Sequence, residues 1–88
     1  MSYAANLIDA IRANNDGCSD YRAAKLLGVS RQLVSSMRSG SRKMTEDVAI
    51  KAAELANEDP KIALIRLNKE TENPKVRQYW EEIEQQIQ

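Results

Sequence analysis

Apolar residues recur along this chain at spacings of three and four, and hardly anywhere at spacing two. That is the signature of helices with one covered face. Residues 3–14 carry Ala4, Leu7, Ile8 and Ile11 on one stripe, and the run Asn14 to Gly17, "NNDG", stops them. Ser19 is placed to cap a second helix reaching Leu27, with Ala23, Ala24 and Leu27 inward. Gly28 ends it, because glycine accepts the left-handed conformation without a steric penalty. Ser30 caps a third helix from Arg31 to about Arg38, with Val34 and Met37 inward, and Ser39 to Lys43 form a loop. Thr45 caps a fourth helix through Ala56 that carries Val48, Ala49, Ala52, Leu55 and Ala56. After a break at Asn57 to Asp59, Pro60 suits the first position of a fifth helix bearing Ile62, Ala63, Leu64, Ile65 and Leu67. Asn73-Pro74 opens a last helix with Val76, Tyr79, Trp80, Ile83 and Ile87 on one stripe. The pattern predicts an all-α protein with no internal repeat.

Eighty-eight residues are one domain's worth of chain. Such a chain buries only about 60–65% of the surface its unfolded form exposes, so the core is small. The composition, 42% hydrophobic and 30% charged, is that of a water-facing globule, and no apolar run is long enough for a membrane span. The opening "MSYAANLIDA" does not read as a secretory leader. A single cysteine, Cys18, makes no internal disulfide, and a reducing cytoplasm is the expected compartment. With no histidine and one cysteine, zinc of the usual ligand type and Ser-His or Cys-His catalysis are not expected. No cofactor and no enzymatic activity are expected. Glu81, Glu82 and Glu84 read as a solvated helix face rather than a carboxylate site.

The net charge is zero, but it is unevenly distributed. From Ser19 to Lys43, Arg22, Lys25, Arg31, Arg38, Arg42 and Lys43 stand against Asp20 alone, a local charge of +5. Residues 44–59 carry −4. A local cationic segment decides where a polyanion would dock more than the total does.

The cationic segment contains the tightest joint in the chain, Gly28-Val29-Ser30. Two helices joined by so short a turn containing glycine must cross steeply. A small residue, Ala24, and apolar residues on both sides, Leu27, Val29, Val34 and Met37, are placed to close that angle. The third helix then presents Ser30, Arg31, Gln32, Ser35, Ser36 and Ser39 outward. Arginine pairs bidentately with guanine, and glutamine with adenine, in a major groove. An ordinary helix hairpin explains the turn but not the basic outer face.

The stretch Asp20 to Ser39, with Ala24, Leu27, the "LGVS" turn, Val34 and Met37, resembles the helix-turn-helix of the Cro/C1 phage-repressor class. The likeness runs over roughly residues 4–65, through the capped fourth helix "TEDVAIKAAELANEDP". It implies a five-helix Cro/C1-like DNA-binding domain over residues 1–68 and an additional C-terminal helix within residues 69–88. It implies that Ser30, Arg31, Gln32, Ser35 and Ser36 read bases, and that Arg38, Ser39, Ser41, Arg42 and Lys43 meet phosphates. Where the class often has a phosphate-binding glutamine, this chain has Asp20, which favours the helix dipole; Tyr21 or Arg22 supplies the contact instead.

The resemblance further implies a sequence-specific transcription regulator, a phage repressor, acting on a double-stranded DNA operator as a homodimer. The competing expectation is an antitoxin-like or antirepressor-like module that acts on a protein partner through its C-terminal helix. For the stripe Val76, Tyr79, Trp80, Ile83 and Ile87, two readings stay open: a helix folded back on the core, or a dimer seam. Because the class is usually complete with five helices, the seam is favoured.

Overall fold

A computed structural model of the chain describes residues 2–87; Met1 and Gln88, the outermost positions of the two expected segments, lie outside the described residues. Among the described residues there are six α-helices and no strand: α1 (Tyr3–Asn14), α2 (Asp20–Leu27), α3 (Arg31–Ser39), α4 (Glu46–Leu55), α5 (Pro60–Lys69) and α6 (Pro74–Ile87).

Each helix begins where a short polar side chain satisfies a free backbone N–H, a contact worth about 0.5–2 kcal/mol. The hydroxyls of Ser2, Ser19, Ser30 and Thr45 accept from Ala5, Arg22, Leu33 and Val48 at 3.1, 3.2, 3.0 and 3.4 Å. Asp59 accepts from the Lys61 N–H at 2.9 Å ahead of Pro60, and Asn73 from Lys75 at 3.0 Å ahead of Pro74. The second helix stops at Gly28, whose φ of 74° is left-handed, with the Val29 N–H donating back to the Ala24 carbonyl at 3.0 Å.

The core gathers the expected stripes. Leu7, Ile8 and Ile11 of α1 are covered by Ala23, Ala24 and Leu27 of α2, Val34 and Met37 of α3, and Ala49 and Ala52 of α4. Alanines along α4 leave room for α1 to approach closely. The partly buried Val48, Leu55, Leu64 and Leu67 close the rim. Met44, which the sequence pattern leaves in a loop, is only 7% exposed: the chain dips inward between α3 and α4 to place it in the core. Tyr3 ties the start of α1 to the far side of the bundle. Its hydroxyl donates to Glu58 at 2.8 Å, its backbone N–H donates to the Glu70 carboxylate, and the Arg66 guanidinium lies 5.9 Å from its ring centre.

The sixth helix decides against one of the two readings left open for it. It does not fold back to bury its stripe: no residue of α6 is buried, and its backbone lies against α5 alone among the helices. Val76, Tyr79, Ile83 and Ile87 are exposed, and of the stripe only Trp80 is partly covered. Glu84, expected to be solvated, is the least exposed of the α6 acids. It accepts from Lys69 at 3.2 Å and faces Arg66 at 3.7 Å, so α6 is held to α5 by an ionic clamp beside Trp80. Arg77 adds a bond from its guanidinium to the Thr71 carbonyl at 2.9 Å. The reason is on α5, whose Arg66 and Lys69 face α6 and attract a carboxylate rather than an isoleucine.

Candidate nucleic-acid interface

The unit α2–Gly28-Val29-Ser30–α3 is rigid on the inside and open on the outside. Val34 and Met37 pin α3 to the core. On its outer face Arg31, Gln32 and Ser35 are exposed, and among the described residues none of their side chains makes a hydrogen bond within the chain. Ser30 is also exposed, with its hydroxyl capping α3 through Leu33. Ser36 is partly covered and has a different task at the helix end. Its carbonyl accepts from the Arg42 N–H at 3.2 Å and from the hydroxyls of Ser39 and Ser41 at 3.1 and 3.3 Å. With Gly40 left-handed at φ 85°, these bonds shape the turn that presents Arg42 and Lys43, both exposed, beside the end of α3. Ser39 and Ser41, expected at phosphates, thus hold the loop while remaining on the surface.

Arg38, expected at a phosphate, is engaged by acids within the chain. Its Nε and Nη2 donate to both oxygens of Asp20 at 3.1 and 3.0 Å, and Nη2 also lies 2.7 Å from Asp9. Arg12 joins from the other side at 3.7 Å from Asp20. The bidentate bond from Arg38 holds the Asp20 carboxyl below the usual carboxylate range, and Asp20, then Asp9, hold the Arg38 guanidinium protonated more firmly than usual. Asp20 is therefore more than a first-turn anion favourable to the dipole: it fixes α3 to α2, and with Asp9 it ties α3 to α1. This pairing links positions 18 residues apart, which no local pattern reveals.

The exposed cations that remain in the basic segment are Arg22, Lys25, Arg31, Arg42 and Lys43. Lys25, not singled out by sequence beyond its charge, stands over the exposed Tyr21 ring at 4.8 Å. Lys51 is a further addition. A Cβ placed on Gly28 would meet its Nζ at 3.3 Å, so this ammonium reaches across the turn from the otherwise acidic α4. Its place in a segment of net negative charge hid it.

A groove of about 440 Å³ runs from the α3–α4 loop to the start of α6, with Met37, Met44, Leu67, Val76 and Trp80 on its apolar side and Arg42 and Lys43 at its rim. Cys18 is partly buried, and its carbonyl accepts from Arg12 at 2.6 Å. Among the described residues no cluster of acids and cysteine could hold a metal ion, and no helix is long and apolar enough to cross a membrane.

Comparison with known proteins adds no relative: no family model matches the chain, and neither the curated proteins nor the solved structures yield a match.

Proposed function

We propose that this chain is a sequence-specific DNA-binding regulator of the Cro/C1 helix-turn-helix kind, acting by binding rather than by catalysis. The observation that carries the reading is the outer face of α3. Arg31, Gln32 and Ser35 are exposed and unbonded among the described residues, on a helix anchored from behind by Val34 and Met37. Side chains able to donate bidentately, held on a rigid helix, suit readout of base edges in a major groove. Arg22, Arg42 and Lys43 flank that helix and suit phosphates, which set register and most of the salt-dependent affinity. Ser30, Ser36, Ser39 and Ser41 add short polar groups around it, and Tyr21 a phenolic hydroxyl. Repression of a phage or host operator by a homodimer is the specific form of the proposal.

The test is selection of bound DNA from a random pool, followed by titration at several salt concentrations. An enriched, roughly two-fold symmetric site and a steep salt dependence support the reading. Failure to retain any DNA at low salt overturns it.

A second reading has one observation in its favour, the uncovered apolar edge of α6. An antitoxin-like or antirepressor-like module would engage a protein there and leave no footprint on DNA.

A further inference from the structure

The outward edge of α6 is apolar and unpartnered. Val76, Tyr79, Ile83 and Ile87 are 39–54% exposed, and Val76, Ile83 and Ile87 share an arc of roughly 40° at 100° per residue. An apolar strip on a helix in water marks a contact surface. It does not by itself say what covers it; the charges do.

The helix is charged against its own dipole. Its first half carries Lys75 and Arg77, and its second half carries Glu81, Glu82 and Glu84. No acid stands in the first turn and no base in the last. A helix favours the opposite arrangement, with anions near its N-terminus and cations near its C-terminus. Glu84 and Arg77 have uses within the chain, on Lys69, Arg66 and Thr71. Lys75, Glu81 and Glu82 have no ion-pair partner among the described residues. Lys75 and Glu82 are seven positions apart, so they flank the same side of the apolar strip, away from Trp80 and Glu84.

One neighbour satisfies both features: the same helix running the other way. We infer that α6 pairs with α6 of a second copy in an antiparallel, two-fold contact, with Val76, Tyr79 and Ile83 along the seam and Lys75 of each copy beside Glu82 of the other. Two-fold symmetry makes each charge pair occur twice. It sets the cationic N-terminal end of one helix against the anionic C-terminal end of its mate and opposes the two dipoles. A parallel copy would bring like ends together. Trp80 is outside this seam, because it is partly covered in the groove with Met37, Met44 and Leu67; Val76 borders the same groove but stays 39% exposed, at the seam's edge.

A helix of 14 residues is about 21 Å long and covers an area at the low end of specific interfaces. The dimer is therefore weak and concentration-dependent. The contact involves no DNA, so its failure and that of the DNA reading are separately visible.

The experiment is sedimentation of the full chain without DNA, from about one to several hundred micromolar, with circular dichroism on the same samples to confirm folding. The expected result is a monomer–dimer equilibrium. Ile83→Glu weakens it at least about tenfold, since burying that side chain is lost to a charge. Lys75→Glu and Glu82→Lys each weaken it by several-fold, and the double exchange Lys75→Glu/Glu82→Lys returns it to near the parent value. A chain that stays monomeric throughout the range overturns the inference and leaves α6 to a different protein. A dimer indifferent to Ile83→Glu places the interface elsewhere. Single exchanges without effect, or a double exchange that fails to restore, overturn the antiparallel arrangement.

Discussion

Arg31 and Gln32 stand at the start of α3, exposed and without a hydrogen-bond partner among the described residues; the charge of Arg31 adds only the smallest share of the field that favours the Asp20 carboxylate. Replacing either with alanine should leave stability unchanged and weaken binding to a selected site by about 1–3 kcal/mol, with little loss on random DNA. Equal losses on both DNAs, measured by competition binding, would make them phosphate contacts. Asp20 and Arg38 behave oppositely, because their bonds face each other. Asp20→Asn should cost about 1 kcal/mol, discounted for its partial exposure. Asp20 titrates lower folded than unfolded, so its contribution is complete above an ordinary carboxylate pKa of about 4 and is lost as pH falls through the folded value. The Asn variant should have a flatter acid limb in its melting-temperature profile. Tyr3 works at the other end. Burial first, then the bond to Glu58, keep its hydroxyl protonated beyond the usual range. Its contribution is complete below about pH 10 and is lost as pH rises through the folded value, so Tyr3→Phe should flatten the alkaline limb.

At the scale of elements, the turn at Gly28 and the sixth helix are held by different means. Gly28 has a φ of 74°, and an alanine there takes a conformation that costs roughly 1–2 kcal/mol. The added Cβ meets only the flexible end of Lys51, so Gly28→Ala should lower stability by about that amount, seen by urea unfolding, without abolishing the fold. Removing residues 74–88 is a harsher change with a milder expected result. The core of α1 to α5 contains every buried residue, so the truncated chain should stay helical and cooperative by circular dichroism. An unfolded truncation would mean that Trp80 and the Glu84 clamp are essential to α5. The helices and their caps were legible in the sequence because they depend on neighbours within four residues: Ser19, Ser30 and Thr45 cap where the pattern put them. Gly28 follows the same rule. The Arg38–Asp20 pair, the Glu84 clamp and the inward turn of Met44 were not legible. Each depends on which residues a distant helix presents, and periodicity along one helix carries no such information.

Across the whole molecule, a chain of zero net charge exposes Arg22, Lys25, Arg31, Arg42 and Lys43 on α2, α3 and the loop after α3, while Glu46, Asp47 and Glu54 of α4 are exposed as well, Glu46 in the same groove as Arg42 and Lys43. A cationic α2–α3 segment would orient the molecule toward a polyanion even though the sum of charges gives no attraction, and salt shortens its reach to about 10 Å at 0.1 M. Phosphate contacts release condensed counterions, so each contributes about 0.9 to the slope of log affinity against log salt. Arg42→Ala and Lys43→Ala should each reduce that slope by about one and weaken binding to all DNA alike, because their side chains are exposed and no bond among the described residues occupies them. Arg38→Ala separates charge from position. Its guanidinium is already balanced by Asp9 and Asp20, so it should leave the slope nearly unchanged while lowering stability and loosening α3. Titrations of the three variants at four or more salt concentrations decide between these roles. A slope that falls as much for Arg38→Ala as for Lys43→Ala would mean that the ion pair opens on DNA and that its acids turn outward when the chain binds.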